Sequence, residues 1–161
     1  MKLIVNPYDK ESINKAIEQM NAYKKKVLDK CNELVRRLSE IGLQVASARF
    51  ETAMYDGKND VSVSVQETAN GVKIVAAGQA VCFIEFGSGV AMGYGYPDDE
   101  KPAGIVGIGE YGKGHGATGK PWYYAHGKSS LGNPPAMAML NARDTMIENI
   151  GSIANEIFGG I

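Results

Sequence analysis

Several kinds of residue are scarce in this chain, and each scarcity closes off some chemistry. Among 161 residues there are two cysteines, two histidines and one tryptophan. Cys31 and Cys82 lie far apart and fall into no C-x-x-C or C-x-x-H spacing, so neither a disulfide framework nor a zinc site of the usual pattern is encoded. Both sit in apolar stretches, where free cysteine behaves as a small hydrophobe, and this points to a reducing compartment. No apolar run approaches the ~20 residues that span a bilayer. Residues 1–7 hold one lysine and three consecutive apolar residues, too little for a secretory signal. The expectation is a soluble protein made in a cytoplasm, without a membrane partner.

Charge is equally uninformative, since the formal net value is −1. That balance gives no reason to expect nucleic acid as a main partner. The local exceptions are Lys24, Lys25 and Lys26, and later Arg36 and Arg37. Consecutive lysines on a helix fan out over a wide arc, so they read as a solvated face rather than a phosphate-binding stripe.

What the chain does have is pattern. From Ile13, apolar residues recur at Ile17, Met20, Val27, Cys31, Leu34, Leu38 and Ile41, in the three-and-four steps of one helical face except where Lys24, beside Tyr23, breaks the series. Asp9 and Ser12 are candidate N-caps, and Gly42 is a residue able to close the helix. A helix over 9–41 is therefore predicted, ~45 Å long at 1.5 Å per residue. One small core cannot cover that length, so either part of the stripe is left for a neighbouring subunit or the helix stands as a long self-contained one.

After Gly42 the period becomes two. Leu43, Val45 and Ala48 begin an extended segment, residues 55–60 carry Asp-Gly turn chemistry, and Val61, Val63 and Val65 alternate with Ser62, Ser64 and Gln66. Asn70-Gly71 marks a hairpin before Val72, Ile74 and Ala76. The run 80–86 is compatible with a fourth strand or a short helix. Residues 43–86 are thus predicted as a small antiparallel sheet. Residues 87–132 hold most of the twenty glycines, five tyrosines and Trp122, with no sustained period, and read as an extended loop or arm. Asn133-Pro134-Pro135 opens a final helix over 134–158, because proline's missing amide costs nothing in a first turn. The fold class is α+β: two helices packed on a small antiparallel sheet with a long glycine- and aromatic-rich loop, in one domain over 1–161.

Motifs for catalysis are weak. Residues 107–112 spell G-I-G-E-Y-G, the letters of a dinucleotide fingerprint. The following K-G-H-G, however, propagates poorly the helix whose N-terminus must meet the phosphates. The alternative function this leaves is a small enzyme or binding module that holds a phosphate-bearing ligand in the 107–119 loop. Ser88 lacks the glycine two residues before it that a nucleophile elbow needs, since Phe86 stands there. Asp98, Asp99 and Glu100 form an acidic turn that reads as a solvated loop, and His115 and His126 read as surface or interface residues. No cofactor or metal is implied.

Glu85 stands out within residues 80–89, A-V-C-F-I-E-F-G-S-G. An acid among Phe83, Ile84 and Phe86 is costly to bury without a partner, so it faces away from its neighbours or meets a cation or backbone amides. With no second catalytic group at a defined distance, a salt bridge or subunit contact is expected. Gly87 and Gly89 would let the chain leave the sheet as a hinge.

Taken in order, the long helix, the valine-rich strands, F-I-E-F-G-S-G, the glycine- and aromatic-rich loop and N-P-P-A-M-A-M-L-N-A resemble the HK97-type phage minor tail-component family, also described as tail-completion or neck proteins. In that family an aromatic-glutamate-phenylalanine-glycine-threonine-like motif precedes a loop, and a proline-led motif starts the last helix. Here Ser88 replaces the common threonine, Pro134-Pro135-Ala136-Met137 lacks the usual phenylalanine, and the loop is longer. The resemblance implies a non-enzymatic ring subunit at the head-tail junction or tail top of a phage, prophage or tail-like particle. Its implied partners are further copies of itself and tail-tube, tail-terminator or neck and connector proteins, assembled in the bacterial host cytoplasm. Phe83, Glu85, Phe86, Gly87, Gly89, Tyr94, Tyr96, Trp122, Tyr123, Pro134 and Pro135 are the subunit-contact or hinge candidates.

Overall fold

A computed structural model describes residues 3–53, 60–69, 71–87, 95–100, 122–123, 129–130 and 133–159. The architecture is α+β: a long N-terminal helix, a C-terminal helix and a small antiparallel sheet. The first helix, α1 (Lys10–Thr52), opens as its sequence requires. Asp9 is the N-cap, and its Oδ1 accepts from the Glu11 amide at 3.0 Å. Ser12 Oγ instead accepts from the Asn6 amide at 2.9 Å, which fastens the entering chain.

The far end of α1 corrects the sequence reading. The helix does not stop at Gly42 but continues through it to Thr52, so the segment after residue 43 is helical rather than extended. The physical reason lies outside α1. Gly42 is buried, and a Cβ there would come within 2.4 Å of Ile74 Cδ1 and 2.6 Å of Met146 Sδ. A glycine inside a helix costs about 1 kcal/mol relative to alanine, and here close approach of two other elements compensates for it.

Those elements are β2 and the last helix. Strand β1 (Ser62–Thr68) pairs antiparallel with β2 (Gly71–Ala77), with Val63 opposite Ala76 and Val65 opposite Ile74. The alternation read from the sequence therefore puts Val63, Val65, Ile74 and Ala76 on one face and the serines on the other. Val63 and Ala76 pack against the core. The sheet has two strands in place of the expected longer meander. The run at 80–86 resolves as a short helix, α2 (Val81–Phe86). A separate two-residue pairing joins β3 (Trp122–Tyr123) to β4 (Ser129–Ser130).

The last helix, α3 (Ala138–Phe158), begins after the prolines rather than on them. It runs antiparallel to α1, since Met146 lies beside Gly42 while the Lys30 ammonium donates to the carbonyl of Ile157. Ala46, Phe50, Ile84, Ala138 and Ala142 form the buried core. Small residues at four-residue spacing on both helices, Gly42 and Ala46 on α1 and Ala138 and Ala142 on α3, let the two backbones approach closely. Cys31 is exposed and Cys82 half-buried, both free. Among the described residues no helix is long and apolar enough to cross a membrane.

Candidate functional site

The candidate site is the junction at which α2 meets the start of α3. α2 is held in place from below by Asp60, whose two carboxylate oxygens accept from the amides of Gln79 at 2.6 Å and Ala80 at 3.1 Å. Those two backbone bonds hold the Asp60 carboxyl below its ordinary range. The turn so fixed directs Ile84 and Glu85 inward, and both are buried.

Glu85, only 3% exposed, is the centre of the junction. Its Oε2 accepts from the Met139 amide at 2.8 Å, and its Oε1 from the Leu140 amide at 3.2 Å and the Tyr96 hydroxyl at 3.1 Å. Met139 and Leu140 lie in the first turn of α3, whose amides have no partner within the helix. The residue in the capping position, Met137, offers no side-chain cap and is left-handed at φ 51°. A carboxylate from elsewhere in the chain therefore does the work of an N-cap and meets the positive end of the helix dipole. At the other end of α3, the Lys30 ammonium lies by the Ile157 carbonyl and 5.8 Å from the Phe158 ring centroid. Each end of α3 thus receives the charge sign its dipole favours, from α2 and from α1.

Backbone pairing reinforces the contact. The Ala136 amide donates to the Ile84 carbonyl at 2.8 Å, and the Met137 amide to the Glu85 carbonyl at 3.2 Å. This pairing keeps residues 133–137 out of the helix, which is why α3 starts later than a proline-led first turn would predict. Gly87 closes the junction at φ 80°, buried. A Cβ there would lie 2.7 Å from the Asn133 carbonyl oxygen and 2.8 Å from the Pro135 nitrogen.

The stretch 95–100 returns to the same place. The Tyr96 ring lies 4.9 Å from that of Phe86, tilted by 51°. Burial, and then the nearby Glu85 carboxylate, push the Tyr96 phenol above its ordinary range. Asp98–Glu100 form a 3-10 turn, and Glu100 pairs with Arg143 of α3. That acidic turn is thus tied to α3 through Glu100.

Of the sequence candidates, Glu85, Phe86, Gly87, Tyr96, Pro134 and Pro135 come together here. Phe83 lines a neighbouring cleft of about 390 Å³ with Arg49, Pro134 and Pro135. Trp122 and Tyr123 are in β3. Gly89, Tyr94, both histidines and the 107–119 glycine loop lie outside the described residues. Glu85's partners at the junction are backbone amides and a hydroxyl, one of the alternatives its sequence context left open. Gly87 leaves a short helix rather than a strand and serves as a point of close packing. Sequence reasoning missed Asp60 and the Arg143–Glu100 pair, because each acts on residues 19 or more positions away. Among the described residues no cluster of three or more histidine, cysteine or acidic side chains could hold a metal.

Compared with protein-family models, with curated proteins and with solved structures, the chain gives no match in any of the three.

Proposed function

We propose that this chain is a non-enzymatic assembly protein of a tailed phage or a phage-derived tail-like particle, forming a homo-oligomeric ring at the neck or tail top that completes the tail and joins it to the head. One observation carries the reading. The two stretches on which the resemblance rests, F-I-E-F-G and N-P-P-A-M, are held against each other by the Ile84–Ala136 and Glu85–Met137 backbone bonds. They act as one structural unit. The Glu85 carboxylate has its oxygens occupied by the α3 amides and Tyr96. A role in fixing α3 suits a subunit built for assembly.

The partners in this reading are further copies of the chain and the adjoining tail-tube, tail-terminator or connector proteins. Assembly takes place in the bacterial host cytoplasm, and the protein stays in the finished particle. Mass spectrometry of purified particles, with electron microscopy of particles made without the protein, tests this. The expected result is its presence in particles and unjoined heads and tails when it is missing. Finished particles lacking the protein would overturn the reading.

A further inference from the structure

Two of the apolar surfaces left open among the described residues are not alike. The first is the N-terminal part of α1. Because Lys30 already sits at the C-terminal end of α3, residues 10–26 extend past that end for about 25 Å. Ile13, Ile17 and Met20 share one side of this arm, and Ile17 and Met20 are 51% and 57% exposed. The side is continuous in helical phase with Leu38 and Gly42, which face β2 and α3 farther along. The second surface is on α3, where Ile147 and Ile150 are 61% and 49% exposed. They follow Arg143 and Met146 at helical spacing, and these two line an apolar groove of about 330 Å³ with Val35 and Val72.

α1 is one unbroken helix, so its arm cannot fold back onto the α3 that its own second half already packs against. Only another molecule can bring the two surfaces together. Their charges are opposite as well. Residues 10–26 carry five lysines against two glutamates, a net +3, whereas α3 carries one arginine against one aspartate and two glutamates, a net −2 that the Arg37–Glu156 pair with α1 reduces to −1. Opposite potentials of this kind steer and register a contact.

We infer that the arm of one copy lays its Ile13, Ile17 and Met20 side along the Ile147 and Ile150 side of α3 in the next copy. The contact is head to tail, since the two surfaces differ, and repetition of such a contact closes rings when the rotation allows. This deepens the ring reading given above by naming the surfaces that would build it.

The test uses the full chain and two exposed double substitutions. Ile17→Gln with Met20→Gln spoils the arm, and Ile147→Gln with Ile150→Gln spoils the receiving face, neither adding a charge that could pair with the other. Circular dichroism confirms that each variant is folded, and native mass spectrometry at high protein concentration reads the assembly. Wild type is expected to be oligomeric and each variant alone monomeric. An equimolar mixture of the two variants is expected to give a 1:1 dimer and nothing larger, because it restores one good arm on one good face. Oligomers from either variant alone, or a mixture that stays monomeric, would overturn this contact while an oligomeric wild type left the ring reading standing. A wild type that is monomeric throughout would sink both.

Discussion

Replacing Glu85 by alanine removes the one side chain that, among the described residues, caps the start of α3, and its effect can be worked from the three bonds the carboxylate accepts. Hydrogen bonds to a charged group are each worth about 1.5–3 kcal/mol, so three set an upper bound of roughly 5–9 kcal/mol. The carboxylate also pays several kcal/mol of desolvation for being buried, and that cost disappears with it. The difference leaves a destabilisation of about 3 kcal/mol, a large share of the 5–15 kcal/mol typical of a domain. In a chain of this size that corresponds to a fall in Tm of roughly 6–12 °C. Glu85→Gln keeps one acceptor but turns an NH2 group toward amide donors, so it should fall between alanine and wild type. Urea unfolding at fixed protein concentration gives the free energy, and hydrogen exchange at the Met139 and Leu140 amides gives the location. The expected result is lost protection at those two amides together with the drop in stability. If Glu85→Ala costs under about 0.5 kcal/mol, or leaves both amides protected, the capping argument is refuted.

Two further comparisons test the packing and the buried phenol. Gly87→Ala places a Cβ against backbone atoms at a glycine-only conformation and should cost about 3 kcal/mol or more. Gly42→Ala meets only the tips of Ile74 and Met146 and gains helix propensity, so it should stay within about 1 kcal/mol of wild type. Equal costs in thermal or chemical denaturation would contradict the assignment of rigid and yielding contacts. Tyr96 has its phenol pushed upward by burial and by the Glu85 and Glu100 carboxylates, with Arg143 opposing. A raised folded value means that its contribution is complete below the ordinary phenol value of about 10 and is lost as pH rises through the higher folded one. Wild type should therefore lose stability above pH ~10 more steeply than Tyr96→Phe. Parallel pH profiles would show that the phenol is neither buried nor set against those carboxylates.

The fold was legible where a local pattern had a single interpretation. The stripe from Ile13 to Ile41 and the cap at Asp9 are properties of neighbouring residues, and α1 begins where they place it. The valine alternation likewise set the β1–β2 pairing face. Gly42 was misleading because the same residue ends a helix when nothing packs on it and allows a crossing when something does. The prolines misled in a similar way. Pro134 and Pro135 are tolerated in a first turn, but the carbonyls of Ile84 and Glu85 capture the amides of Ala136 and Met137 first. Nothing local to residues 133–137 announces those acceptors.

By itself the sequence determined the α+β class, the start of the long helix, the apolar faces, and the fact that Glu85 must have a partner if buried. Each follows from spacing along the chain or from the cost of desolvating one group. Only the tertiary structure decided who the partners are: the α3 amides for Glu85, β2 and α3 for Gly42, and Asn133 and Pro135 for Gly87. These contacts join residues that are tens of positions apart, and their energies appear only when the backbones that carry them have been brought together.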